Sequence, residues 1–277
     1  MKRHTIASVT PTLAALMGAE PPGLSTAEPM EQLLGEAGRL GIDLIDRCLV
    51  YCPDAIGTTV IAENPAMFEP LRKFAPHGVP LVSVFPPKTP VCFASMFTGA
   101  PPEAHGIRRY EQKVLECDTL FDALIRAGKR IEIATVEGSS MEVLFKGRGI
   151  DLYAGADDQD VTACALRLIE ADRHDLIIAY HQEYDDTLHK KGLRSAEALG
   201  GIERHVAAFK RLVEACHSGW SRYARLMLFA PDHGAHVDNA TGTGDHGQNI
   251  PEDMEVTHFA GLEAGFATGD DDRLPQS

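Results

Sequence analysis

Several things are missing from this chain of 277 residues, and each absence removes a class of function. No apolar run approaches the roughly 20 residues of a membrane-spanning helix. The amino-terminal stretch MKRHTIASVTPTLAALMGA has a basic start and a small apolar segment, but Pro11 and two threonines interrupt it, so it does not read as a secretory leader. A basic face is lacking as well: 26 Lys and Arg stand against 40 Asp and Glu, a formal charge of −14. That balance excludes a surface for nucleic acid or anionic lipid, although an acidic protein can still bind phosphate where bound cations reverse the local field. The six cysteines (48, 52, 92, 117, 164 and 216) contain no C-x-x-C pair. Cys48 and Cys52 lie four apart on a predicted strand, roughly 13 Å at strand rise, too far for a disulfide. Reduced thiols in a cytoplasmic protein are the expectation. Neither an internal repeat nor a low-complexity segment is present.

What is present is an ordinary apolar content of 44%, enough to core one large α/β domain over residues 1–277. Short apolar runs with β-branched residues alternate with helical patterns. Arg47 to Cys52, Val79 to Phe85, Arg130 to Thr135, Asp175 to Tyr180 and Arg225 to Ala230 read as strands, the first as a central parallel one. Helices are expected at Thr10 or Pro11 onward, within 26–46, over Val91 to Thr98, Asp118 to Ala127, Asp160 to Ala171 and Ser195 to His217. This alternation predicts a doubly wound, mostly parallel sheet flanked by helices. Open sheets of that kind place their chemistry at the carboxyl ends of strands.

Four groups of polar residues fall at such ends. Thr89 follows the strand at Val79 to Phe85 and a Pro-Pro pair, at the start of a short helix closed by Gly99. A helix cap is the plain alternative to a nucleophile there. Asp54 follows Arg47 to Cys52 and Pro53, and by position alone reads as a helix cap. In HQEYDDTLHKKG, Asp185 and His189 stand four apart, so one helical turn puts carboxylate and imidazole on one face, as two ligands of one ion require; by itself the segment also reads as a solvated acidic turn. Asp232 and His233 end the strand at Arg225 to Ala230, and TGTGDHGQN follows with His246.

Together these motifs make the chain resemble type I phosphodiesterases and nucleotide pyrophosphatases, a branch of the alkaline phosphatase superfamily. The resemblance rests on KT, S-x-x-TG and P-E-x-HGI around Thr89, on D-x-x-x-H-x-x-G at Asp185, His189 and Gly192, and on DHG at Asp232 and His233. It implies an alkaline-phosphatase-like fold and two divalent ions, zinc by preference with manganese as the alternative. One ion would be held by Asp185, His189 and His246, the other by Asp54, Asp232, His233 and the Thr89 oxygen. Asp54 stands 35 residues before Thr89, which matches the family's spacing. Thr89 would attack phosphorus and form a phosphothreonine intermediate. The implied partner is a small phosphorylated substrate; monoester, diester and phosphonate remain open, as does a homologue that binds metal or phosphate without turnover. Nothing in the sequence bears on oligomeric state.

Three departures from the family pattern stand out. Cys92 occupies the place of an Asn that binds a phosphate oxygen in nucleotide pyrophosphatases, so Lys88, Arg108 or Arg109 would have to supply charge. Leu188 replaces the Gly that commonly precedes the ligand His189. His236 competes with His246 for the third histidine position, and Asp245 would orient an imidazole from behind. His105 and His258 read as structural. The segments Ile107 to Asp118 and Gly147 to Asp158 are expected to wall the pocket. Finally, V-x-PT-L-x-x-LMG-x-x-PP, which closes the domain in these families, comes first here, and EVTHFAGLEAGFATG, which resembles the strand before it, comes last. That order suggests a circular permutation with neighbouring termini; an unrelated amphipathic amino-terminal helix is the plain alternative.

Overall fold

A computed structural model of the chain describes residues 4–266. A 3-10 turn at Ile6–Ser8 leads into α1 (Val9–Met17), ended by left-handed Gly18; α2 (Glu31–Arg39) follows. Then come β1 (Arg47–Pro53), α3 (Thr58–Glu63), α4 (Glu69–Phe74), β2 (His77–Val82), α5 (Thr89–Thr98) and α6 (Pro102–His105). The middle of the chain forms α7 (Leu120–Arg126), β3 (Ile131–Val136), α8 (Ser140–Phe145), β4 (Asp151–Gly155) and α9 (Asp158–Ala171). It continues through β5 (Leu176–His181), α10 (Glu183–Lys191), α11 (Ala196–Gly219) and β6 (Arg225–Phe229). A small ribbon of β7 (His236–Val237) and β8 (Gly244–Asp245), a turn of helix α12 (Pro251–Met254) and β9 (Glu255–Glu263) complete it.

Seven strands form one sheet in the order β2-β9-β6-β1-β5-β3-β4. Six point the same way and β9 runs against its neighbours β6 and β2. Every residue of β1, β5 and β6 is buried, the mark of parallel strands covered on both faces. Alternate strand residues serve two separate cores. Cys48, Val50, Ile133, Ile178 and Leu228 pack under α1, α2, α5, α7 and α8. Leu49, Tyr51, Ile177, Ala179 and Phe229 pack under α3, α4, α9, α10 and α11. The doubly wound, mostly parallel architecture is therefore as expected.

Two strand expectations change. The run from Val79 is no buried interior strand: β2 starts at His77, ends at Val82 and lies at the sheet edge. Pro80 gives the reason, since a residue without an amide hydrogen fits a strand paired on one side only. The segment Gly147 to Asp158, expected as a loop, instead contains β4, which pairs with β3 along the opposite edge.

The amino-terminal segment braces the helix that starts at Thr89. Thr10 Oγ1 donates to the Met96 carbonyl at 2.7 Å, and Phe97 of α5 meets Phe121 and Phe145 with ring centroids 4.9 and 5.6 Å away. Thr5 bridges Val82 at one end of the β2–β9 ladder, whereas Glu263 pairs with Arg225 at the other. The described ends of the chain are thus separated by the length of β9, roughly 27 Å at strand rise. The expected adjacency of the termini itself concerns residues 1–3 and 267–277, outside the described residues.

Candidate active site

The carboxyl ends of β1, β5 and β6 converge with the start of α5, and there the chain collects its acidic and imidazole side chains. β1 delivers Asp54; β6 delivers Asp232 and His233, both fully buried. After β2, residues 83–88 carry the chain over this edge to Thr89, the first residue of α5. Three loops then pass unusually close together. A Cβ on Gly57 would lie 2.7 Å from Gly234 Cα, and one on Gly234 would lie 2.0 Å from the Glu252 carbonyl oxygen, so only glycine fits at both.

Asp54, Asp232 and His233 form one compact group, with His233 Nε2 3.4 Å from Asp54 Oδ1 and 3.3 Å from Asp232 Oδ2. The Thr89 hydroxyl sits over it, donating to Asp54 Oδ2 at 3.3 Å and 3.4 Å from His233 Nε2. A second group joins Asp185 and His189 of α10 to His246, each histidine Nε2 lying 3.4 Å from Asp185 Oδ1. His233 and His246 stack with centroids 4.0 Å apart, so the two groups share a wall. All seven residues proposed from the sequence as nucleophile or metal ligands therefore meet in one place.

The hydrogen bonds around these side chains orient the imidazoles and leave several carboxylate oxygens unpaired. Each histidine turns its Nδ1 to a backbone carbonyl: His189 to Gly244 at 2.9 Å, His246 to Pro87 at 2.8 Å, His233 to Gly234 at 3.0 Å. This fixes the tautomer and points the Nε2 lone pair into the site. Asp54 Oδ1, Asp232 Oδ2 and Asp185 Oδ1 are buried with no hydrogen-bond partner among the described residues. Orphaned buried carboxylate oxygens are costly, and these three face the imidazoles. Burial, together with mutual repulsion, pushes Asp54 and Asp232 well above the usual carboxylate range. Burial likewise pushes His233 and His246 down, so their rings are neutral, while the neighbouring Asp185 carboxylate raises His189. Two divalent ions would satisfy the orphaned oxygens and reverse these penalties, so the residues present fit the implied metals.

A cavity of about 350 Å³ opens above, floored by Asp54, Thr89, Asp185, His189 and His246. One wall comes from Tyr110, within the expected segment Ile107 to Asp118; the other is Glu137 to Ser140 rather than Gly147 to Asp158. Formation of β4 draws the latter segment to the sheet edge. Lys88 lines the cavity but is bound to the His246 carbonyl and lies 3.5 Å from Asp245. Cys92 is fully buried on α5 with Sγ 3.2 Å from Ser83 Oγ, and does not line the cavity. Arg108 is exposed and donates to the Glu103 carbonyl. Asp245 accepts the His246 amide rather than orienting its ring, and His236 turns away to Asp253 at 2.8 Å. Leu188 is buried in the core and Gly244 makes room for it: a Cβ there would meet Leu188 Cδ1 at 2.5 Å. The helical register from Asp185 to His189 is thereby kept despite the departure from the family pattern.

Sequence reasoning missed Tyr180, whose hydroxyl donates to Asp54 Oδ2 at 2.5 Å, and Ser83, whose hydroxyl donates to the Asp232 carbonyl at 2.7 Å. It also missed Asp253, whose carboxylate accepts the Gly247 and Gln248 amides and so secures the loop after His246. A polar residue closing the apolar run DLIIAY was the one available signal for Tyr180.

The model of the type I phosphodiesterase/nucleotide pyrophosphatase family matches residues 68–243, which include Thr89, Asp185, His189, Asp232 and His233. The chain belongs to this family. Among solved structures, this type I phosphodiesterase homologue is similar to murine ectonucleotide pyrophosphatase/phosphodiesterase 5 in an inactive form with AMP, at 17% identity and TM-score 0.56, covering 69% of this chain and 57% of that one. It is also similar to phosphonoacetate hydrolase from Sinorhizobium meliloti 1021 with phosphonoformate, at 18% identity and TM-score 0.52, covering 72% and 59%. A 2-O GAG sulfatase shares the fold at 12% identity and TM-score 0.56, covering 80% and 64%. The chain thus spans less than two thirds of the length of these structures, and at such identities the likeness is one of fold. A search among curated proteins gives no significant match.

Proposed function

We propose that this protein is a two-metal phosphate-ester hydrolase of the phosphodiesterase type, acting through Thr89. The observation that carries the reading is the placement of the Thr89 hydroxyl on the Asp54, Asp232 and His233 group, next to the Asp185, His189 and His246 group, with the oxygens Asp54 Oδ1, Asp232 Oδ2 and Asp185 Oδ1 lacking a hydrogen-bond partner among the described residues. Asp54, Asp232 and His233 would hold one ion together with Thr89; Asp185, His189 and His246 would hold the other. Zinc suits this oxygen and nitrogen donor set, with manganese as the alternative. Bound there, the ions would supply positive charge that lowers the hydroxyl pKa of the threonine and stabilises charge developing on the phosphoryl and leaving oxygens.

The chain's own residues account for the rest. α5 is anchored by its phenylalanines and by Thr10, so Thr89 is held rigidly at the cavity floor. Asp54 Oδ2 receives the hydroxyl hydrogen bond, and Tyr180 holds that carboxylate oxygen in place. Attack by Thr89 Oγ1 on phosphorus forms a phosphothreonine as the bond from phosphorus to the ester oxygen breaks, the proton given up by the hydroxyl leaving with the departing alcohol. Water then attacks the same phosphorus, releases the phosphoryl group and returns a proton to Thr89 Oγ1.

A second reading, a phosphonate hydrolase or phosphomonoesterase on the same machinery, is favoured by one feature. Cys92 is turned away from the cavity at the position where nucleotide pyrophosphatases present an amide to the phosphate, which leaves Lys88 as the cation nearest the floor. Replacing the nucleophile separates hydrolysis from mere binding. Thr89→Ala should lower turnover by roughly a thousandfold or more while metal content stays near that of the wild type. Turnover surviving in that variant would refute the nucleophile, and a wild type that takes up metal without any hydrolysis would favour a binding protein.

A further inference from the structure

Two further groups of acidic and imidazole side chains have ligating atoms within 4.8 Å of one another: Glu132, Asp151 and His174, and Asp158, His181 and His205. The first is open to solvent, with the Asp151 side chain 75% exposed, and nothing aims a ligand into it. The second is buried beside the active site, and its hydrogens can be followed one by one. The Tyr184 amide donates to His205 Nε2 at 3.2 Å, so that nitrogen carries no proton. Burial pushes His205 down to about 4, so the ring is neutral and its single proton sits on Nδ1. Nδ1 faces Tyr51 Oη at 3.0 Å and Asp158 Oδ2 at 3.9 Å and offers no lone pair to an ion. His205 Nδ1 therefore donates to Tyr51, and the Tyr51 hydroxyl donates to His181 Nδ1 at 2.8 Å. His181 Nε2 donates to Thr162 Oγ1 at 3.3 Å, whose own hydroxyl donates to the Asp158 carbonyl at 2.9 Å. Every proton has a place, and this is no metal site.

The chain of bonds has another output. Asp158 Oδ1 accepts the Gln182 amide and Oδ2 the Glu183 amide, both at 3.0 Å. With Tyr184 on His205, three successive amides at the start of α10 are held from α9 and α11. These belong to the turn that a helix leaves without internal partners, and Gln182 provides no side-chain cap. The next residue is Asp185, and His189 follows one turn on. Burial pushes the Asp158 carboxyl up to about 6, against the pull of its two amide bonds, so an ionised carboxylate is kept here at a cost. Asp54, Asp232 and His233 follow β1 and β6 rather than lying on α10; the Asp54 amide, which donates to the His181 carbonyl at 2.9 Å, links them to this region ahead of the turn.

We infer that Asp158 and His205 are positioning residues that fix the first turn of α10, and through it the ion held by Asp185, His189 and His246, without governing the other ion. This rests on the two-metal reading above. The test is a zinc titration of metal-stripped protein followed by calorimetry, with Asp185→Ala and Asp232→Ala marking which ion is which. Asp158→Asn and His205→Leu should weaken the Asp185-dependent ion by about tenfold or more, the usual effect of losing a group that orients a ligand, and leave the Asp232-dependent ion within about twofold. His205→Gln, whose amide oxygen can again accept from Tyr184, should recover most of the loss. If Asp158→Asn does not fold, the two His205 variants carry the same comparison. Equal weakening of both ions, no weakening, or a His205→Gln protein no better than His205→Leu would overturn the inference and leave the two-metal reading standing. A wild type that binds no zinc would overturn both.

Discussion

At the scale of single residues, the account turns on which polar atoms are satisfied and which are left over. Asp54 shows both: Oδ2 accepts hydrogen bonds from Tyr180 and Thr89, and Oδ1 has no hydrogen-bond partner among the described residues. Replacing Tyr180 with Phe keeps the ring packed against Phe93, with which it makes an edge contact at 5.3 Å, and removes only the hydroxyl. Tyr180→Phe should therefore fold normally and lose about tenfold in turnover as Asp54 loses its orienting partner; an unchanged kcat would exclude Tyr180 from the site. That the seven nucleophile and ligand residues belong together was legible from the family resemblance, and their placement just past an apolar run or one helical turn apart agreed with it. Tyr180, Ser83 and Asp158 were not legible, because they act through partners distant in the chain: 126 residues separate Tyr180 from Asp54. Cys92 and Arg108 illustrate the converse. Their proximity to Thr89 in sequence says nothing about direction, and the helix turns one into the core and the connecting segment sends the other to solvent.

At the scale of elements, α5 and α6 form a unit around His105. Its Nε2 lies 2.8 Å from Ser95 Oγ on α5, and its Nδ1 accepts the Ile107 amide at 3.2 Å. Burial pushes His105 down to about 4, as it does His205 and His258. A depressed histidine favours the folded state above its unfolded value of about 6.5, and that contribution is lost as pH falls toward 4, because only the unfolded chain takes up the proton. Each such group can contribute about 2–3 kcal/mol across that window. In denaturant melts of the metal-free protein the raised carboxyls of Asp54, Asp232 and Asp158 act in the opposite sense, so the test is a difference. Between pH 6.5 and 4 the wild type should lose stability relative to His105→Gln, even though that variant is weaker at pH 7, and an unaltered difference would contradict the neutral His105. Element boundaries followed their end signals closely: Gly18 and Gly99 close α1 and α5, and Thr119 with Asp122 makes a capping box for α7. Among the elements that escaped, with α4 and α8, was β4, whose residues 151–155 pack on one neighbour at an edge and carry no alternating pattern.

At the scale of the whole molecule, a chain of net charge −14 concentrates three carboxylates of its own site where an anionic substrate would have to bind. Such a cavity repels phosphate unless cations occupy it. The doubly wound arrangement was legible because alternating strand and helix patterns leave few alternatives, and the central position of β1 followed from its unbroken apolar run. The edge position of β2 was written in Pro80 and overlooked. The most direct measurement is hydrolysis of an activated phosphate diester, beside the matching monoester, by metal-stripped protein before and after zinc or manganese is restored. The account predicts no rate without metal and a restored rate with it, faster on the diester. A rate that survives complete removal of metal, or none on either ester after two ions per chain are bound, would contradict it.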